Sequence, residues 1–317
     1  MTSRGGLKTT HSIVGVDVAQ DWLDAHRRTD GKNRRFANTK QGRQSLTRWA
    51  AGARVAFEPS GPDHRALEQH LAVAGIGAVT INPLQVRRFA EALGRRAKTD
   101  TVDARLIAVM AAQLELPATP PLDRKTRDLK ALQIARQGLV KDRTTAKNRA
   151  QSHQCRFLES QAAARLRHVK SQLGALDAEI ATLIAGDEHL ARRRGILLTI
   201  PGISAITAAA LLAEAPELGA LEGKAAASLA GLAPMTRQSG KWNGRAMIRG
   251  GRAHLRHALY MPALVAARFN PDLKALYDRL ISAKKPPKVA LTALMRKLLI
   301  LANALLRDGR PWTEKPA

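Results

Sequence analysis

The sequence predicts an α/β domain followed by a largely α-helical remainder. Three observations carry that reading. Short apolar runs alternate with amphipathic stretches through the first 115 residues, a proline-marked break "LPATPPLD" follows at 116–123, and long Ala-, Leu-, Gln-, Arg- and Lys-rich stretches come after it. Strands alternating with helices build a sheet that presents ligands at strand ends.

In order, "SIVGVDV" (12–18) is an apolar strand ending at Asp17, and "DWLDAHRRT" alternates toward a turn at Asp30-Gly31. "RRFANT" resumes extended character, and "QGRQSLTRWAA" has helical spacing. "RVAFEP" is a short buried strand closed by Pro59 and Gly61, and "DHRALEQHLAVAG" is an amphipathic helix stopping at Gly75. "GAVTINP" is another strand, and "LQVRRFAEALG" and "DTVDARLIAVMAAQLE" are helices. Beyond the break, 124–190 is read as long helices forming a paired arm. The remainder is helical and alanine-rich, with a strand signal only near "GKWNGR".

With 317 residues, 45% hydrophobic and 25% charged, the chain has the composition of a soluble globular protein with room for more than one core. No apolar run approaches the roughly 20 residues that span a bilayer. The N-terminus lacks the apolar region of a secretory signal, and one cysteine, Cys155, excludes an internal disulfide framework or a Cys-cluster zinc site. A cytoplasmic protein is expected, nucleoid-associated when on DNA, with no membrane partner. The net charge is +26, with excesses of +7, +5 and +14 over 1–115, 116–190 and 191–317. Such a surface points to a polyanion gripped through its phosphates.

Against that charge, four acids stand out. Asp17 and Glu58 each end an apolar strand, and Asp100 and Asp103 share one face at the start of a helix. Strand ends converge on a crevice, and a helix with acids at i and i+3 can project both into it. Four carboxylates there could hold two Mg²⁺ ions about 3.5–4 Å apart, as in in-line phosphoryl displacement. Oxygen ligands suit Mg²⁺ or Mn²⁺. Simpler roles stay open for each acid, as strand-end or helix-start residues complementing a macrodipole.

"IVGVDVAQ", "AFEPSGPDH", "INPLQVRRFAEALGRRAKTDTVDARLIA", "IPGIS" and "GLAPMTRQSGKWNGRAMIRGGRAHLRHALY" together resemble the transposases of insertion-sequence family one-ten, relatives of the pilin-gene invertases. The resemblance spans roughly residues 11–310. It implies a RuvC-like, ribonuclease-H-type catalytic domain over 11–115, a coiled-coil-like helical linker over 122–190, and a mostly α-helical transposase domain over 191–310. It also implies that Asp17, Glu58, Asp100 and Asp103 are the metal-binding tetrad, and that recombination is guided by a bridge RNA.

Residues 236–257 hold six Arg or Lys and no acid: Arg237, Lys241, Arg245, Arg249, Arg252 and Arg256. They are read as phosphate contacts, with Gly250-Gly251 interrupting any continuous helix and a new helix starting near Arg252. Ser239 precedes Gly240 there. From chemistry alone such a serine is more often a loop hydrogen-bonder than a nucleophile; the resemblance implies that it attacks DNA phosphate, with Ser204 and Ser60 as rivals. "LLTIPGISAITAAALLAE" resembles a helix-hairpin-helix element, read equally as a phosphate-facing turn or a tight turn between packed helices. His254 and His257 read as phosphate or packing residues.

The expected activity is therefore Mg²⁺- or Mn²⁺-dependent cleavage and exchange of element ends and target DNA through a phosphoserine. A homo-oligomer, dimer or tetramer, would build a site from two protomers. The alternatives are a RuvC-like junction-resolving nuclease using water, and a non-catalytic nucleic-acid-binding protein.

Overall fold

The computed structural model describes residues 12–59, 61–94, 100–151, 155–236, 238–240, 242–244 and 246–314, with side chains left out at 100–102, 242 and 243. The chain divides into two compact units, Met1–Leu122 and Asp123–Ala317.

The first unit is built on a mixed sheet. Strand β1 (Ile13–Val18) lies at its centre, flanked by β2 (Trp22–Arg27) and then β3 (Asn33–Ala37) on one side. On the other side come β4 (Arg54–Phe57) and β5 (Ala78–Thr80). β1, β2 and β3 pair antiparallel, whereas β1–β4 and β4–β5 are parallel. Successive residues of a strand point to opposite faces. One face therefore collects Val14, Val16, Val18, Leu23, Ala25, Phe36, Val55 and Phe57. Helix α1 (Lys40–Ala50) covers it with Leu46 and Ala50, and α2 (His64–Val73) with Leu67 and Leu71. Thr39 starts α1 by accepting from the Gly42 N–H, and Ala51 ends it at φ +48°.

The opposite face is apolar only toward one end. There Ile13, Ala56, Val79 and Ile81 pack against Leu106, Ile107, Ala108, Met110 and Ala111 of α4 (Asp100–Gln113) and Val86 of α3 (Pro83–Ala92). After α4 the chain returns along β5. Thr119 donates its N–H to the Ala78 carbonyl (2.7 Å), the Thr80 N–H donates to Thr119 Oγ1 (3.1 Å), and the two hydroxyls lie 2.8 Å apart.

In the second unit, α5 (Arg124–Ala150) and α6 (Arg156–Ala185) form an antiparallel hairpin. Lys125 donates to the Gly186 carbonyl at one end, and Arg136 pairs with Asp177 at 2.5 Å farther along. These are the long helices expected over 124–190. Helices α7 (Glu188–Leu198), α8 (Ala205–Glu214), α9 (Gly223–Leu229), α10 (Ala253–Phe269), α11 (Pro271–Ser282) and α12 (Pro287–Asp308) follow. Their core includes Leu197, Leu211, Leu255, Leu259, Leu294 and Leu298, with Leu129 and Ile184 of the hairpin packed in. One sequence expectation is corrected here. α12 is long and apolar enough, by length and composition, to cross a bilayer, and half of its most apolar stretch is buried inside the unit. Its hydrophobicity serves the core, against α7, α9, α10 and α11.

Candidate functional site

Two of the four acids singled out by sequence, Asp17 and Glu58, lie on the partly polar face of the sheet, and Asp100 and Asp103 are on the helix that packs against β1. Asp17 is the penultimate residue of β1, and Glu58 follows the last residue of β4. Because Val16 is paired with Phe57 in the parallel β1–β4 ladder, the next residue on each strand brings Asp17 and Glu58 to neighbouring strand ends. Both are partly buried. Asp103 lies on the first turn of α4 and is also partly buried. Asp100 is the first residue of α4, and its side chain lies outside the described residues. Among the described residues, no three His, Cys, Asp or Glu side chains are gathered as a metal site.

Gly15 sets how close α4 comes. It shares a face with Asp17, two residues away, and a Cβ built on it would overlap the Ala104 carbonyl oxygen and sit 2.5 Å from the Ala108 nitrogen. The helix backbone thus rests directly on β1, which places Asp103, one residue before Ala104, over the strand that carries Asp17. Nothing in the local sequence announces that role; it becomes legible only when Gly15 is counted onto the face of Asp17.

A fifth acid was missed from the sequence. Asp24 of β2 stands directly opposite Asp17 in the antiparallel ladder. Like charges so placed repel, and Arg35 of β3, itself paired with Asp24, offsets this through two hydrogen bonds of 2.8 and 2.9 Å. Asp24, Arg35, Arg34, Asn33 and Ala104 share a small cavity of about 130 Å³, which ties this pair to the start of α4. The row across the sheet therefore reads Glu58, Asp17, Asp24, Arg35. The period-two spacing of "DWLDAHR" was the available signal.

In the second unit, Ser239 ends strand β7 (Gln238–Ser239), which pairs antiparallel with β8 (Trp242–Asn243). Gly240 follows at φ +56°, a left-handed conformation that glycine adopts without strain. A second pairing joins β6 (Pro234–Met235) to β9 (Met247–Ile248), outside the first in sequence, and Ser239 is exposed. Arg237, Lys241 and Arg245 lie outside the described residues, as does Ser60. Arg249 is described and exposed.

Arg252 and Arg256 are engaged with the protein itself. Arg252 donates to both carboxylate oxygens of Glu217 (2.8 and 2.6 Å) and to the Glu214 carbonyl (2.6 Å). Burial works to raise the Glu217 carboxyl, but the hydrogen bonds and charge of Arg252 outweigh it and hold it below the ordinary carboxylate range. Arg256 donates to the carbonyls of Ala230 (3.0 Å) and Gly250 (2.8 Å). The acid that balances Arg252 thus comes from 35 residues away in sequence, beyond the stretch that looked uniformly basic. Arg252 is the N-cap of α10, so the helix starts where the glycine pair predicts.

The "PGIS" turn joins α7 to α8. Ser204 caps α8, its Oγ accepting from the Thr207 N–H at 3.3 Å. Gly202 (φ +104°) packs so near α10 that a Cβ would lie 2.7 Å from the Pro262 carbonyl oxygen. His254 and His257 are exposed on α10, and Cys155 is exposed at the start of α6.

Comparison with known proteins bears on both units. Residues 14–155 match the family described as a DEDD transposase of the IS110 type, and residues 194–278 match the IS116/IS110/IS902 transposase family. The chain is 31% identical to the pilin gene-inverting protein of Moraxella bovis over 96% of its own length and 98% of the relative's. The same protein of Moraxella lacunata matches equally well. A 43.6 kDa protein of insertion element IS110 from Streptomyces coelicolor is 33% identical over 46% of this chain and 36% of its own. With acids at adjacent strand ends in one unit and relatives matching along nearly the whole chain, this protein belongs to the IS116/IS110/IS902 family of transposases.

Proposed function

We propose that the protein excises and integrates its own mobile element by metal-dependent strand exchange through Ser239. The observation that carries the reading is the placement of Asp17 and Glu58 at neighbouring strand ends, on the face crossed by the helix that bears Asp100 and Asp103. Carboxylate oxygens without a soft ligand fit a hard cation, Mg²⁺ or Mn²⁺, in preference to zinc. When bound, the ion would supply charge neutralisation and Lewis acidity at a phosphate. Asp17, Glu58, Asp100 and Asp103 would hold it. A mixed sheet with acids at its strand ends supports the RuvC-like reading of this unit.

Ser239 would attack the scissile phosphorus. Its Oγ–P bond forms while the P–O bond to the leaving deoxyribose breaks. The hydroxyl proton passes to solvent, and the leaving oxygen takes a proton in return. A free hydroxyl of the partner strand then reverses the step and releases the serine. An exposed serine held at the end of a paired strand is a suitable carrier for that hydroxyl, because it can meet a backbone phosphate without unfolding. Basic residues close to Ser239 in sequence, Arg237, Lys241 and Arg245, would offset charge on the phosphorane. The site would be shared between two protomers, in a dimer or tetramer. Guidance by an element-encoded bridge RNA would leave the protein to grip backbones through its +26 charge.

The test uses wild type and Ser239→Ala with Mg²⁺, labelled junction DNA and the noncoding RNA flanking the same locus. A protein–DNA adduct on denaturing gels is expected for wild type only, and only with the RNA. Clean cleavage by both proteins without an adduct would make the chain a hydrolytic nuclease and Ser239 a strand-end residue.

A further inference from the structure

Trp22 stands at the open end of the acidic face. It begins β2, two residues before Asp24, so both side chains leave the same side of the sheet, while Leu23 and Ala25 point into the apolar core opposite. Its backbone is fixed on both sides: Trp22 pairs with Ala37 of β3, and its carbonyl accepts the Ala19 N–H at 2.9 Å. The turn that carries it is pinned again, since Asn38 donates its N–H to the Asp21 carbonyl (2.8 Å) and its Nδ2 to that of Ala19 (3.0 Å). Yet Trp22 is 48% exposed. The Arg35 guanidinium that binds Asp24 also sits 5.9 Å from the centre of the indole ring. A rigid backbone, an exposed tryptophan and an arginine shared with the acid facing Asp17 make a prepared surface, not a stray exposed side chain.

We propose that Trp22 stacks on a nucleobase of the DNA strand being cut, next to the scissile phosphate, and that Arg35 is the positioning residue holding the indole and Asp24 in register. The inference rests on the acidic face being the cleavage site. Aromatic rings accept any base on their π-face, so such a contact adds grip without adding sequence choice. That suits a chain with only 3% aromatic residues and a strongly positive surface. A base held against Trp22 would bring its own phosphate to the row Glu58, Asp17, Asp24, which a basic surface alone cannot align.

The experiment places 2-aminopurine at successive positions on either side of the cleavage point in junction DNA. Full-length protein is added with the flanking RNA and Mg²⁺. Wild type should quench emission at one or two adjacent positions. Asp17→Asn, which abolishes cleavage under the site reading, should quench the same positions. Trp22→Leu keeps apolar bulk but cannot stack; it should lose the position-specific quench and bind about 10-fold more weakly. Trp22→Phe should restore most of both. Arg35→Lys should weaken the quench less than Arg35→Ala. An unchanged quench in Trp22→Leu, or a Trp22-dependent quench seen only with 2-aminopurine in the RNA, would overturn the proposal while leaving the acidic site intact. Full cleavage by Asp17→Asn would instead remove the site reading itself.

Discussion

The two faces of the N-terminal sheet are made by the same strands and answer to different demands. On one, Val14, Val16, Leu23, Val55 and Phe57 meet α1 and α2 as a continuous apolar layer. On the other, apolar packing is confined to the Ile13, Ala56 and Val79 end, and the row Glu58, Asp17, Asp24, Arg35 occupies the end where β1 and β4 finish. A face that gathers carboxylates forgoes burial and sets like charges side by side. Stability is thus concentrated on one side, which leaves the other free for the proposed chemistry, the usual tension between the two.

Substitutions on each face should separate along that line. The largest loss of stability is expected from Phe57→Ala, which removes a fully buried ring from the apolar layer. About 3–5 kcal/mol is typical of such a deletion, read as a fall in the denaturant midpoint. Equal stability in that variant would break the comparison. Gly15→Ala comes next. One methyl group against the α4 backbone should cost about 1–3 kcal/mol by overpacking, and it should abolish strand cleavage by lifting Asp103 away from Asp17. Retained cleavage would show that the helix need not sit so close. The smallest stability change belongs to Asp17→Asn, under about 1 kcal/mol, since it relieves repulsion from Asp24. Its activity should nonetheless fall below detection with Mg²⁺; a variant both destabilised and active would invert the reading.

Much of this organisation was legible in the sequence, because it depends on local pattern. An apolar run ending in an acid is a strand with a residue at its tip, and Asp17 and Glu58 could be read that way. So could the start of α10 after two glycines, and the long helices beyond 123. What escaped depends on partners distant in the chain. Gly15 looks like any small residue until α4, some 90 residues later, rests on it. Asp24 drew no reading of its own until strand pairing set it against Asp17. Arg252 belonged to a run without acids until the fold supplied Glu217. α12 has the composition of a membrane segment, and only tertiary packing tells that its apolar side faces a core. The geometry of Ser239 could not be foreseen in detail, since residues 234–248 pair in two short ladders that carry too few residues for a periodic signal.

The hydrogen bonds from Thr119 to β5 have a practical reach of their own. A parallel strand at the border of a sheet leaves one row of N–H and C=O groups open to pair with a stranger. Here the returning segment takes up the Ala78 carbonyl and the Thr80 N–H, so the border is closed by the chain's own continuation. A fragment of the first unit cut at the end of α4 would reopen that border and invite strand-to-strand association between molecules. Cut after Leu122, the same fragment would keep its seal and stay dispersed.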